Sequence, residues 1–395
     1  MRQTDLQRSD GPTATQQEFR VLVVTSFRKE EVTSPVECMT VPATVVTIEP
    51  STARVGHVLE TYEQVRTALS THEPDVVLLD CYETMGVVVT ALASRHDVPI
   101  VARLVGDSWR GYEQPALSEL QGVGDVRRYA LNRASHRLNR YIFRRVDGFV
   151  TVSHELKAIA SSRTGCPAER IGVVPVPMTV DTLNGSETAG RDHTGVDERR
   201  TVLTVTNLNF REKFEGVELA LSELKPLLEA DDELCYVIAG SGHFLEPLEA
   251  TIEELFTDPS VRDRIYTPGY VDHVADLYAL ADVFVYVSYR DGYPNAVLEA
   301  QTAQLPVVAN AAHGMCDQIT DGETGYLVDS TRPGQLRARV VSLLESLADR
   351  RRIGRQARDR VLRENTSAVI GRQLQQTLRQ ILDSHHRSAA SLGDI

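Results

Sequence analysis

Short apolar runs alternate with amphipathic stretches of helical length throughout the chain, and no other feature limits the possible folds as strongly. Strands separated by helix-length segments cannot close tight hairpins, so they pair in parallel and need helices to cover their faces. In the first part, the spacing predicts strands at Arg20–Thr25, Asp75–Asp80, Val98–Arg103, Gly148–Val152 and Ile171–Val174. Helices are expected at His57–Ser70, Glu83–His96, Val126–Val146 and His154–Arg163. This is one doubly wound unit.

Residues 179–200 carry Asn184-Gly185-Ser186, Gly190 and Gly195 among many charges, show no apolar periodicity, and are expected to form a linker. Alternation then resumes. Strands are predicted at Thr201–Thr206, Leu234–Ala239, Arg264–Thr267, Val283–Val287 and Pro306–Ala309, with helices at Phe214–Glu229, Phe244–Phe256, Val274–Leu280, Pro294–Ala303 and Pro333–Leu347. The reading is α/β, with two tandem Rossmann-like doubly wound domains, 19–178 and 201–366, facing a cleft. A disordered segment is expected at 1–18. A helix at 367–384 is expected to pack back on the first domain, with a tail at 385–395. At 395 residues, the length suits two domains of ~100–200 residues each.

Composition narrows the function. The chain has 42 Lys+Arg against 55 Asp+Glu, a net charge of −13, which opposes attraction to a phosphate backbone, so no nucleic-acid partner is expected. The five cysteines, Cys38, Cys81, Cys166, Cys235 and Cys316, are widely separated and read as thiols of a reducing compartment. Charges interrupt every apolar run before the ~20 residues of a membrane span, so a cytoplasmic protein is expected. Only Lys29, Lys157, Lys213 and Lys225 are lysines, which makes each of them worth reading.

The densest signal is Asp282-Val-Phe-Val-Tyr-Val-Ser288-Tyr-Arg-Asp291-Gly292-Tyr293-Pro294-Asn295-Ala296-Val297-Leu-Glu299. A buried strand runs into a loop, and Pro294 stands where the first turn of a helix favours it. The backbone N–H groups of Asn295, Ala296 and Val297 would then face an anion such as a diphosphate. One turn on, Glu299 can accept hydrogen bonds from vicinal hydroxyls, while Asp291, eight positions earlier, lies at the mouth of the cleft. The plainer alternative makes Asp291 a turn cap and Glu299 a solvated helix residue.

This stretch resembles the E-x7-E signature of the retaining glycosyltransferases of family four, whose GT-B fold is two facing Rossmann domains. Ile238-Ala-Gly240-Ser-Gly242 is similar to the family's glycine turn. Pro268-Gly269-Tyr270, Leu305-Pro306-Val-Val-Ala-Asn310 and Asp321-Gly-Glu-Thr324-Gly325-Tyr-Leu-Val328 continue the series, and Arg145-Val-Asp147-Gly-Phe-Val-Thr-Val-Ser153-His-Glu-Leu156 resembles a segment ahead of the family's linker. The resemblance implies that Glu299 holds the ribose of a nucleotide diphosphate sugar and that Asp291, in place of the family's first glutamate, contacts the transferred sugar. It further implies that Lys213 sits on the diphosphate; Asn207 stands where the family often has an arginine, and Arg211 either substitutes or is solvated. Gly240, Gly242, Gly292, Tyr293 and Pro294 complete the implied donor site.

The acceptor side departs further from the family. Thr25-Ser-Phe-Arg-Lys29 lacks the usual glycine-rich loop, and no histidine follows the strand at Val98–Arg103. Arg103, Gly106 and Asp107 are candidates for sugar contacts, with Asp107 a candidate catalytic acid; Trp109 either stacks on a sugar ring or packs within a structural turn. His313 is a further cleft candidate and His154 a weaker one. No D-x-D triplet occurs, so neither a metal nor a further cofactor is expected. The expected activity is transfer of a sugar from a nucleotide diphosphate sugar to a sugar, glycan or lipid-linked acceptor. A sugar-nucleotide epimerase, a phosphorylase and a catalytically degenerate scaffold subunit are the alternatives on the same frame. Finally, residues 126–146 carry seven arginines and no acid, so this helix either rests on anionic membrane or packs normally with a solvated arginine face.

Overall fold

The computed structural model describes residues 19–26, 29–48, 55–109, 123–178, 184–196 and 198–393. The segment expected to be disordered, 1–18, lies outside these residues, as do 179–183 of the linker and the side chains of Arg127 and Arg128.

Six parallel strands, β1 (Val21–Thr25), β2 (Ala43–Thr47), β3 (Val76–Asp80), β4 (Ile100–Leu104), β5 (Gly148–Thr151) and β6 (Ile171–Val173), form a first sheet in the order β2-β1-β3-β4-β5-β6. A second parallel sheet has the order β12-β11-β10-β7-β8-β9. Its strands are β7 (Arg200–Val205), β8 (Leu234–Ala239), β9 (Ile265–Gly269), β10 (Val283–Tyr286), β11 (Val307–Asn310) and β12 (Tyr326–Val328). Each sheet is wound outward from its first strand in both directions. The order therefore reverses between β1 and β3 in one sheet and between β7 and β10 in the other, and such reversals open crevices at the carboxyl ends of the strands.

Helices α1 (Lys29–Glu37), α2 (Val55–His72), α3 (Glu83–Arg95), α4 (Val123–Phe143) and α5 (His154–Thr164) belong to the first sheet's crossovers. In the second, α6 (Glu187–Thr194) precedes the first strand, the crossovers are α7 (Arg211–Ala230), α8 (Leu245–Leu255), α9 (Pro259–Arg262), α10 (Val274–Leu280), α11 (Asn295–Thr302) and α12 (Met315–Gln318), and α13 (Gln335–Glu345), α14 (Leu347–Glu364) and α15 (Ser367–Gly393) follow. The expected tail is thus largely helical. Apolar residues fill both faces of each sheet. A smaller cluster of Val152, Leu156, Val176, Tyr293, Leu298 and Val361 joins the two halves. In α15, Ile370, Leu374, Leu378, Ile381 and Leu382 pack with Val21, Val23, Val76 and Val101 of the first sheet.

Several elements differ from the sequence expectation. The expected linker contains α6, capped by the Ser186 side chain at one end and by Gly195 at φ 73° at the other. It docks through backbone rather than apolar side chains: a Cβ at Gly190 would lie 2.4 Å from the Asp276 carbonyl oxygen, which explains the missing periodicity. The edge strand β2 is only partly buried and so lacks a core-strand pattern. Helix α4 begins and ends three residues earlier than expected, which leaves Arg144 and Arg145 beyond it. Ile142 and Phe143 are buried in the core, so this end of the apolar face is already occupied.

Candidate active site

The crevice of the second sheet is built from two elements on either side of its reversal point. On one side, β7 leads into α7, whose Gly216 allows close approach: a Cβ there would lie 1.9 Å from the Val287 carbonyl oxygen at the end of β10. This places Lys213, in the first turn of α7, against the loop that follows β10. Lys213 Nζ lies 2.9 Å from Asp291 Oδ1, and the two side chains are only 14% and 15% exposed. Tyr286 at the end of β10 donates its hydroxyl hydrogen to Asp291 Oδ2 at 2.7 Å and accepts from Lys213 Nζ at 3.3 Å. Burial pushes the Asp291 carboxyl up, but the Lys213 charge and hydrogen bonds from Ser288, Lys213 and Tyr286 outweigh it and hold the carboxyl below its ordinary value. Asp291 is therefore a carboxylate fixed at both oxygens. The plain turn-cap reading does not describe it.

The loop then enters α11. Its first N–H groups, at Asn295, Ala296 and Val297, precede the helical hydrogen bond that Leu298 makes to the Pro294 carbonyl at 3.4 Å. Glu299 follows on the same helix, and its Oε2 accepts a 2.8 Å hydrogen bond from Tyr278 of α10. Burial raises the Glu299 carboxyl above its ordinary value; the Tyr278 bond opposes this and the nearby Glu31 charge adds to it. Glu31, on α1, also accepts a 2.9 Å hydrogen bond from Asn295 Nδ2, linking the first sheet's helix to the start of α11. Tyr293 and Val297 face inward, Tyr293 accepting from Asn365 Nδ2 at 3.2 Å, so their side chains serve the core.

The glycine turn after β8 completes the crevice. A Cβ would lie 1.8 Å from the Thr206 oxygen at Gly240 and 2.3 Å from the Leu208 carbonyl carbon at Gly242, and both have φ near +150°, at 146° and 149°. Only glycine can bring these backbones together. Beside them is a 360 Å³ cavity lined by Thr206, Asn207, Asn209, Ser241 and Tyr270, among others. Tyr270 is 73% exposed. It lies just after β9, and a lone exposed tyrosine carries no pattern in the sequence beyond its place in the family series.

The remaining candidates separate into two groups. Gly292 is the seam between the halves: a Cβ there would lie 2.3 Å from the Val105 carbonyl oxygen of the loop after β4, and Gly314 packs equally closely on Gly292. His313 pairs with Glu155 at 3.0 Å and His154 with Asp317 at 3.0 Å, two reciprocal contacts between α5 and the loop and helix after β11. By contrast, Arg103 is spent inside the first sheet, paired at 3.2 Å with Asp80, whose carboxyl burial raises against the pull of Arg103 and Thr25. Trp109 packs against Phe143 with ring centroids 4.9 Å apart and planes tilted by 41°, and Asp107 Oδ1 accepts from the Trp109 backbone N–H at 2.9 Å. Arg211 is 77% exposed and pairs with Glu215 one turn on. Gly106 has open space around its Cα.

Two facing parallel sheets with a charged crevice at their reversal points define the GT-B class. Residues 13–181 match the family described as Glycosyltransferase Family 4 and residues 187–360 the family of glycosyl transferases group 1. The chain belongs to the family four glycosyltransferases. It is 26% identical over 222 residues to alpha-D-kanosaminyltransferase of Streptomyces kanamyceticus, which covers 54% of this chain and 55% of that protein. With N-acetyl-alpha-D-glucosaminyl L-malate synthase of Bacillus anthracis it shares 26% identity over 176 residues, 45% of this chain and 44% of the relative. The chain thus spans about half the length of these two curated relatives. Among solved structures, Anabaena HepE in complex with UDP and glucose superposes with a TM-score of 0.64 at 15% identity, covering 92% of this chain and all of that one. Sucrose-phosphate synthase of Thermosynechococcus elongatus gives a TM-score of 0.67 at 15% identity, over 93% of this chain and all of its own. At these identities the structural likenesses establish the fold.

Proposed function

We propose that this glycosyltransferase is retaining and metal-independent, and that it moves a sugar from a nucleotide diphosphate sugar in the second sheet's crevice to an acceptor hydroxyl presented by the first. The observation that carries this reading is the Lys213–Asp291 pair in the loop that runs into α11, whose first N–H groups precede its helical hydrogen bonds. In this reading Glu299 takes the ribose hydroxyls, the cavity beside Tyr270 takes the base, and Asp291 orients the sugar. The bond from the sugar's anomeric carbon to the diphosphate breaks as the acceptor oxygen attacks on the same face. The acceptor proton passes to the departing phosphate oxygen, while Lys213 and the start of α11 stabilise the charge that develops there. HepE, crystallised with UDP, supports starting the donor search with uridine diphosphate sugars.

The acceptor is a sugar, a glycan or a lipid-linked sugar at the cytoplasmic face. Among the described residues, no helix is long and apolar enough to cross a membrane. The exposed Arg133, Arg137, Arg140, Arg144 and Arg145 along and just after α4 favour electrostatic contact with anionic lipid as the second reading. The test is to incubate the protein with nucleotide diphosphate sugars, with and without candidate acceptors, and to measure nucleotide release and the anomeric configuration of the product. Release that requires an acceptor, with the donor's configuration kept, supports the proposal. Turnover without an acceptor points to an epimerase, phosphate-dependent release to a phosphorylase, and nucleotide binding without any turnover to a scaffold.

A further inference from the structure

Behind the loop that carries Val105 to Trp109, a cavity of 390 Å³ opens between α4 and the end of α5, a volume within the range of small-molecule sites. Its wall includes Trp109, Phe143, Ser108, Arg140, Arg144 and Arg163, and among the described lining residues there is no Asp or Glu. Such a concentration of positive charge in a chain of net charge −13 is unusual. Several other arginines pair with carboxylates, as in Arg350–Asp282, Arg360–Glu364 and Arg352–Asp349. Arg140 and Arg144, among the described residues, have no such partner.

We propose that this cavity is an acceptor-side subsite for a phosphate group carried on a sugar or apolar body. Planar guanidinium forks match phosphate oxygens two at a time, and several of them exceed what a single carboxylate neutralises. Trp109 offers the body of the ligand a stacking surface. The geometry ties the cavity to the active site: the same loop places the Val105 carbonyl under Gly292, and Asn139, which also lines the cavity, holds the first N–H of α3 at 2.8 Å through Oδ1. A phosphorylated acceptor lying along this loop reaches the crevice at one end and the arginines at the other. This inference deepens the proposed function and rests on its assignment of the acceptor to the first sheet.

Trp109 is the chain's single tryptophan, so its fluorescence reports on this cavity alone. The full-length protein is titrated at fixed ionic strength with hexyl phosphate and with hexanol, and in parallel with phosphatidylglycerol and phosphatidylcholine vesicles, while UDP affinity is measured by calorimetry. The expected result is a saturable emission change with hexyl phosphate but not hexanol. Affinity should fall at least ~10-fold in Arg140→Gln/Arg144→Gln, the scale of losing charge-assisted hydrogen bonds, with UDP affinity unchanged. A response to soluble hexyl phosphate identifies a soluble phosphorylated acceptor; one confined to phosphatidylglycerol vesicles identifies a lipid headgroup. No saturable change with either, an equal response to hexanol, or an undiminished response in the double variant overturns the proposal. Loss of UDP binding or of sugar transfer alone would instead refute the donor reading, since the Trp109 signal does not depend on it.

Discussion

Replacing Lys213 with alanine leaves Asp291 as a charge fixed by Tyr286 but without its counter-ion. With only 14% and 15% of the two side chains exposed, water replaces the ammonium poorly, and an orphaned buried charge costs about 3–5 kcal/mol. Since some solvent does reach the pair, the lower end, about 3 kcal/mol, is expected for Lys213→Ala. Adding Asp291→Asn removes the orphan, so the double variant should recover most of that loss. The pH dependence has a definite sign. In the wild type the Asp291 carboxyl is held below its unfolded value, so its contribution is full above the unfolded carboxylate range and is lost as pH falls through the depressed value. Without Lys213, burial dominates and raises the carboxyl, so the variant's deficit is greatest at neutral pH and shrinks as Asp291 takes up a proton. Urea unfolding of the four proteins at neutral and mildly acidic pH measures both effects. Turnover should fall ~100–1000-fold in Lys213→Ala and stay low in the double variant, because regained stability does not restore the leaving-group cation. A double variant as unstable as the sum of its single changes, or a folded Lys213→Ala with normal turnover, would refute the reasoning.

Glu299→Gln should weaken both free nucleotide and nucleotide sugar in calorimetry, whereas Asp291→Asn should spare free nucleotide and reduce transfer; equal losses of nucleotide affinity would remove the division of labour. Because burial raises the Glu299 carboxyl and Glu31 raises it further, nucleotide affinity should decline on acidification from above the ordinary glutamate range, and Glu31→Gln should move that decline to lower pH. Gly240→Ala forces a Cβ to 1.8 Å from the Thr206 oxygen at φ 146°, so thermal unfolding should shift downward by an amount matching at least ~1–3 kcal/mol. Transfer should be indifferent to EDTA if basic groups and the start of α11 alone carry the diphosphate charge.

Much of the second sheet was legible because its strands are continuous apolar runs and its crevice residues sit in a dense local motif between β10 and α11. Sequence spacing placed Asp291 and Glu299 correctly on that loop and helix, but it could not show that Tyr286 and Tyr278, read only as strand and helix residues, hold their carboxylates. Those contacts depend on register between elements distant in sequence. On the first sheet the local signals misled. Arg103 stands near the carboxyl end of β4 yet is neutralised by Asp80 from the neighbouring strand, a pairing that only the parallel register β3–β4 creates. Helix α6 and strand β2 were missed for a different reason, since backbone docking and edge exposure leave no apolar period to detect.

The return of α15 to the first sheet sets an order of assembly. On one face, Val21, Val23, Val76 and Val101 are only partly covered, by Val32 and Val36 of α1, until Leu374, Leu378 and Ile381 arrive, and those residues are synthesised only after the whole second sheet. During translation the second sheet can therefore close first, while the earlier-made strands wait with an apolar surface and an open edge exposed to chaperones or to neighbouring nascent chains. Synthesis of α15, rather than completion of its own strands, is the event that seals the first sheet.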